Sequence, residues 1–134
     1  MWETIRTKII EVISTATKIQ VAYRTERSRF DGFPAAVVTP SDNEADYGDT
    51  AKDKLTFVFI VRIYQEISKS GQDQADIKLE KAVDELLTMF LNKKVLGTAA
   101  EWVEPVNSSW GYQDRETGQL RVAELKLRCR KYLP

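Results

Sequence analysis

The stretch Lys54–Glu66, KLTFVFIVRIYQE, constrains the fold more than any other part of the sequence. Leu55, Phe57, Phe59, Val61 and Ile63 take every second position, which is the period of a β-strand. The alternate positions hold Thr56, Val58, Ile60, Arg62 and Tyr64, so the opposite face is largely apolar too. A strand in a sheet with one face in water shows a polar row on that face. This strand therefore predicts that its second face is covered, either by another part of the chain or by another subunit.

Two helices are expected. Trp2, Ile5, Ile9, Val12, Ile13 and Ala16 recur at spacings of three and four, with Glu3, Arg6, Lys8 and Glu11 mostly between them. That polar face carries both signs of charge, unlike the basic face of a membrane-surface helix. The second helix is expected over Asp76–Lys93, with Leu79, Val83, Leu86, Leu87, Phe90 and Leu91 as its apolar stripe. Asp73 or Asp76 would cap its start, Lys93 and Lys94 would complement its dipole at the end, and Gly97 would mark the exit.

The remaining elements are strands and loops. Lys18–Arg24 alternates, with Ile19, Val21 and Tyr23 on one face. Phe33–Thr39 places Ala36 and Val38 on one side and Ala35 and Val37 on the other. Trp102–Tyr112 is a strand made irregular by Pro105, Asn107 and Ser108. Leu120–Tyr132 is a regular one, with Ala123, Leu125, Leu127 and Cys129 facing the core. Thr25–Gly32 and Pro40–Asp53 read as loops, and Ser68–Asp73 and Asp114–Gly118 as turns. The order predicts one α+β domain over residues 1–134, a single mostly antiparallel or mixed β-sheet with two α-helices packed on one side.

Composition narrows the function. Lysine plus arginine and aspartate plus glutamate each number 20, so no global field draws the chain to nucleic acid or an acidic membrane. No apolar run approaches the roughly 20 residues that span a bilayer. The start, Met1-Trp2-Glu3, has neither a signal-peptide pattern nor the glycine that myristoylation requires. A soluble chain made in a cytoplasm, with no membrane partner, is the expectation. Histidine is absent, which removes the commonest general base and metal ligand together. Cys129 is the one cysteine, so no internal disulfide forms, and its place on an apolar strand face reads as a buried structural thiol. The six glycines are scattered and form no phosphate-cradling loop. The chain is expected not to be an enzyme and to use no cofactor and no metal.

Two charged stretches are candidate sites. The loop from Pro40 carries Asp42, Glu44, Asp46, Asp49 and Asp53, with Lys52 as its basic residue. These are oxygen ligands in kind, but the spacing fits a calcium loop only in part. Counted from Asp42, Tyr47 stands where the turn needs glycine, and Asp53 where a bidentate glutamate closes the site. A solvated or subunit-contacting loop is the simpler reading. On the last strand, Lys126, Arg128 and Arg130 alternate on the outer face, with Arg121 and Lys131 nearby and Trp110, Tyr112 and Tyr132 as aromatic neighbours. A basic row with rings is the footprint of a nucleic-acid-binding module, and also of a solvated or subunit-contacting face. The acidic loop and the basic strand complement each other in charge.

Four stretches carry a resemblance. Phe33–Asp42 (FPAAVVTPSD), Phe57–Glu66 (FVFIVRIYQE), Val106–Tyr112 and Leu120–Arg130 resemble the tail terminator, or tail completion, proteins of long-tailed bacteriophages. The resemblance runs along nearly the whole chain. It implies a sheet flanked by helices and a homohexameric ring on the head-proximal end of the tail tube. Such a ring stops tube polymerisation and offers a surface for head–tail joining. It implies as partners the chain itself, the tail tube protein and the head–tail connector protein, with DNA only passing through the ring. It places the protein in the virion tail or neck after assembly in the host cytoplasm, and it carries no catalytic residue or cofactor. A connector or neck role in the same particle is the neighbouring alternative. Candidate subunit or tube contacts are the acidic loop, the doubly apolar strand through Val58, Ile60 and Arg62, and the basic strand through Lys126, Arg128 and Arg130.

Overall fold

A computed structural model describes residues 2–41, 54–67, 71–115 and 118–132. The element order is α1 (Trp2–Ser14), β1 (Val21–Tyr23), β2 (Ala35–Pro40), β3 (Lys54–Glu66), α2 (Gly71–Phe90), β4 (Trp102–Arg115) and β5 (Gly118–Tyr132). The strands form one mixed sheet in the order β1-β2-β3-β5-β4. β1 and β2 run parallel, and every other neighbouring pair is antiparallel. The α+β architecture with both helices on one side is the one the sequence predicts.

The helix side holds the main core. Ile5, Ile9, Val12 and Ile13 of α1 and Leu79, Ala82, Val83, Leu86 and Phe90 of α2 pack on Phe57, Phe59, Val61 and Ile63 of β3. Ala123, Leu125, Leu127 and Cys129 of β5 and Ala36 and Val38 of β2 complete that core. Trp2 closes one end, edge-on to Phe57 and Phe59 at centroid distances of 4.7 and 5.2 Å. Burial of this many apolar side chains at ~25 cal/mol per Å² is the main force that holds the helices on the sheet.

Several local expectations change. The strand Lys18–Arg24 shrinks to Val21–Tyr23 because the backbone before it is engaged elsewhere. Glu85 of α2 accepts from the backbone N–H groups of Thr17 (3.0 Å) and Lys18 (2.7 Å) and from the Thr17 hydroxyl (2.8 Å). The bend this imposes breaks the alternation, so Ile19 joins the helix-side core while Val21 and Tyr23 face the other way. α2 begins at Gly71, five residues before Asp76 (76 − 71), so Asp76 is an interior residue and not a cap. It pairs instead with Arg121 of β5 at 2.8 Å. α2 also ends before Lys93 and Lys94, leaving no basic residue in its last turn. Lys93 rests its ammonium 4.5 Å over the Trp102 ring, and Leu91 is 64% exposed and outside the core stripe. Gly97 does sit in the exit, at φ 61°, where a side chain would be strained.

β4 runs on to Arg115 and has a bulge between Pro105 and Asn107. The extra residue, Val106, is what the proline and the polar pair signalled as irregularity. The acidic stretch Asp42, Glu44, Asp46, Asp49 and Asp53 lies outside the described residues, as do parts of the two predicted turns. The cation reading on that loop therefore has no structural description. Among the described residues no group of three or more acidic or cysteine side chains is placed to hold a metal ion. Nor, among those residues, is any helix long and apolar enough to cross a membrane.

Candidate assembly face

The face of the sheet away from the helices is where the charged candidates meet. Strand register fixes which side chains share it. Arg62 of β3 stands opposite Glu124 of β5, Ile60 opposite Lys126, Val58 opposite Arg128 and Thr56 opposite Arg130. On β4, Glu104 is opposite Arg128 and Trp102 opposite Arg130. Alternation along each strand then assigns Arg121 and Lys131 to the helix side.

The chain covers one end of this face itself. The segment between β1 and β2, expected as a polar loop, folds back so that Phe30 stacks on Tyr64 at 4.9 Å with an interplanar angle of 26°. Phe30 also meets Tyr23 at 5.7 Å and Phe33 at 5.8 Å. The Arg115 guanidinium lies 4.9 Å from the Phe30 ring and 5.3 Å from that of Tyr64, and Arg27 lies 4.5 Å over Tyr23. Tyr23, Ala35, Val37, Tyr64 and Leu120 form a second small core beneath. This answers half of the question raised by the doubly apolar strand: near Tyr64 the cover is intramolecular.

Glu26 ties that segment down electrostatically. It accepts from the Tyr64 hydroxyl at 2.8 and 3.0 Å and pairs with Arg62 at 3.7 Å and Arg115 at 3.5 Å. Burial, then the hydrogen bond to Glu26 and its charge, push the Tyr64 phenol well above its ordinary 10.0, so it donates to the carboxylate throughout the working pH range. Arg62 also meets Glu124 at 3.1 Å.

Farther along, the basic row is not free. Glu104 pairs with Arg130 at 3.3 Å and with Arg128 at 3.9 Å. Arg128, Arg130, Lys126, Arg62 and Ile60 are all half-buried, while Val58 is buried. The sequence groups Arg121 and Lys131 with this row, and Trp110 and Tyr112 as its rings. In the structure these four are on the helix side. Lys131 donates to the Thr98 carbonyl at 3.0 Å. Arg121 donates to Asp76 and to the Gly111 carbonyl, and lies 4.4 Å from the Tyr112 ring and 5.6 Å from that of Trp110. Trp110 and Tyr112 stand across from Ala123 and Arg121, and so on the face opposite Lys126, Arg128 and Arg130, which take the other parity on β5.

Sequence reasoning missed Glu26 and Glu104, which with Glu124, already legible on the outer face of the last strand, convert a basic row into a mixed ionic surface. No local signal marks Glu26 or Glu104, since each meets its partner only through strand pairing or the folded-back segment. Chemically the face offers paired charges and half-buried aliphatic stems. Cys129, the one nucleophile singled out, is buried among core side chains, and burial pushes its thiol up to about 12.

No family model matches the sequence, and no curated protein matches it. Among solved structures, a chain of the virion of a native gene transfer agent (GTA) particle is similar, with a TM-score of 0.46 and 12% identity. The match covers 93% of this chain and 84% of that one. At that TM-score the similarity carries no argument about function.

Proposed function

We propose that this protein is a structural, non-enzymatic component of a phage-type particle. Its work is to assemble with copies of itself on the end of a tail tube. In this reading it is a tail terminator: a homohexameric ring that stops tube growth and presents a surface for the head connector, while DNA passes through. It resides in the virion and is put together in the host cytoplasm.

The observation that carries the reading is the half-buried ionic face of β3, β5 and β4. One side of the sheet is packed by helices over most of β2, β3 and β5. The other, beyond the segment that covers Tyr64, has no helix over it among the described residues, and its side chains are neither a solvated polar row nor a closed core. A ring requires two different complementary patches on each subunit, and a surface of fixed, paired charges supplies register for such contacts. The sequence resemblance over Phe33–Asp42, Phe57–Glu66, Val106–Tyr112 and Leu120–Arg130 supports the same reading. The nucleic-acid alternative is weakened, since Arg128 and Arg130 already face Glu104, and Trp110 and Tyr112, two of the rings expected beside the row, lie on the opposite side.

The test is sedimentation at several concentrations with electron microscopy of any rings, followed by mixing with the tail tube protein of the same particle. Rings that cap tubes and halt their elongation are expected. Binding to a head connector without any effect on tube length would assign the neck role instead. A chain that stays monomeric at every concentration, alone and with tubes, would end the proposal.

A further inference from the structure

The two edges of the sheet are guarded differently. An unpaired strand edge attracts further strands, and short length, prolines, bulges and charges are what protect it. β1, at one edge, is three residues long. β4, at the other, is fourteen, and Pro105 with the bulge beside it blunts only the first half. From Ser108 to Asp114 the strand has no proline and no lysine, and its one charge is Asp114 at the end. Among the described residues no strand pairs with this outer edge. Its backbone is set to bond. The Gln119 carbonyl of β5 accepts from the Ile67 N–H just past β3, and the Val58 carbonyl of β3 accepts from the Ser41 N–H just past β2. Alternation then turns the odd-numbered residues of β5 toward β3 and the even-numbered ones toward β4. The even residues pair with Ser109, Gly111, Gln113 and Arg115, so the N–H and C=O groups of Ser108, Trp110, Tyr112 and Asp114 point away from the sheet. Trp110 and Tyr112 are 43% and 49% exposed along this edge. Gly111 between them would have open space around a Cβ, and its φ lies outside the left-handed region, so the single subunit does not require glycine there. A glycine inside a strand weakens it, and a common reason for one is another backbone close by.

We infer that this edge pairs antiparallel with the same edge of a second copy, about a two-fold axis through Gly111. Outward-bonding residues have to meet outward-bonding residues, and this register achieves it along the whole edge. Trp110 opposes the partner's Tyr112, Ser108 opposes the partner's Asp114, and about eight main-chain hydrogen bonds form. The two ring pairs are cross-strand aromatic contacts. Each Asp114 faces a serine, so no like charges meet. Gly111 meets the partner's Gly111 on the axis, at a non-hydrogen-bonded site where Cα atoms lie ~4.5 Å apart. Moving the axis to Tyr112 would set Trp110 against the partner's Asp114, and moving it to Trp110 would run Asp114 into the partner's bulge. The chain itself has nothing that can take this place. The longest stretch outside the described residues joins Ser41 to Lys54 by thirteen links, which reach about 45 Å. The edge runs level with β3 from Val61 to one residue past Glu66. A path from Lys54 along that edge and back to Ser41, beside Val58, needs about 75 Å at ~3.4 Å per residue. The opposite edge of another copy offers only Val21–Tyr23, too short to cover Ser108 to Asp114. The contact closes on two copies, so it lies apart from the head-to-tail contacts of a ring and goes beyond the proposed function.

Thiol cross-linking of the full chain tests it. Gly111→Cys puts one thiol of each copy beside the axis, at a Cα spacing within disulfide range, and the open space at Gly111 lets the variant fold, which thermal unfolding checks. Cys129 is buried and takes no part. Gln113→Cys is the control, exposed on the same face but about 14 Å from its counterpart. Under mild oxidation the first variant should form covalent dimers at least tenfold faster than the second. Ser108→Pro removes an outward N–H, which an edge strand tolerates, and should raise the dimer dissociation constant about thirtyfold, because two bonds go per dimer. Ser108→Asp, set against the partner's Asp114, should weaken the dimer about fivefold at low salt and less at high salt. Equal cross-linking of both cysteine variants, or none in the folded chain, would overturn the inference. So would a dissociation constant that neither Ser108→Pro nor Ser108→Asp moves. A wild-type chain that is monomeric alone yet forms rings on tubes would overturn it and leave the proposed function standing. Cross-linked dimers from a chain that never forms a ring or caps a tube would uphold it and end the proposed function.

Discussion

Replacing Tyr64 with phenylalanine tests whether one hydroxyl holds the covering segment on the sheet. The ring would stay, and with it the stack on Phe30 at 4.9 Å. What goes is the donor that reaches both Glu26 oxygens, at 2.8 and 3.0 Å, from a side chain only 2% exposed. A hydrogen bond to a charged acceptor contributes about 1.5–3 kcal/mol. Glu26 is partly exposed and keeps Arg62 and Arg115 as partners, so the loss belongs at the low end, about 1.5 kcal/mol. With an unfolding entropy of about 2.1 cal/mol/K per residue, a chain of this length should lose about 5 °C in Tm. The segment should also open locally more often, letting the backbone at the exposed Arg27 and Arg29 enter a protease site. Two measurements decide it: thermal unfolding followed by circular dichroism, and the rate of tryptic cleavage after those two arginines under native conditions. Cleavage should quicken by more than the global destabilisation explains. An unchanged Tm together with unchanged cleavage would refute the reasoning, because it would mean that Glu26 and the aromatic stack hold the segment without the phenol.

Two further outcomes follow from groups whose proton affinity the fold shifts. For Glu85, slight burial on its own would raise the pKa, but the backbone N–H groups of Lys18 and Thr17 and the Thr17 hydroxyl outweigh it and hold the carboxyl below 4.5. A depressed folded value means that the stabilisation is present above the unfolded pKa and is lost as pH falls through the folded one; urea midpoints should show this acid-side loss in wild type, and Glu85→Gln should lower stability at neutral pH while flattening the acid slope. Cys129, with its thiol pushed up to about 12 and its side chain fully buried, should resist thiol reagents at pH 8 in the native protein and react at once in denaturant; native labelling at the rate of a free thiol would contradict the packing.

Some of this was legible in the chain and some was not, and particular residues show where the line falls. Ile5, Ile9, Val12 and Ile13, Leu79 to Phe90, and the alternation of β3 and β5 are local periodicities, so their apolar faces followed directly and the structure buries them. The warning carried by Val58, Ile60 and Tyr64, that a second face needs cover, was legible as well. What provides the cover was not. Thr25–Gly32 reads as an ordinary polar loop, and nothing local marks Phe30 within it. Its fate depends on meeting Tyr64, thirty-four positions later (64 − 30).

Charge shows the same division. The sequence by itself determined the excess of cations along β5 and the excess of carboxylates between Ser41 and Lys54. Only the tertiary structure decided which charges are spent. Glu104 reaches Arg128 and Arg130 across a strand pair, Glu26 reaches Arg62 and Arg115 through the folded-back segment, and Arg121 turns to Asp76 on the helix side. The physical reason is range. Apolar periodicity is written within a few neighbouring residues, while an ion pair forms between residues that only strand register and loop closure bring together.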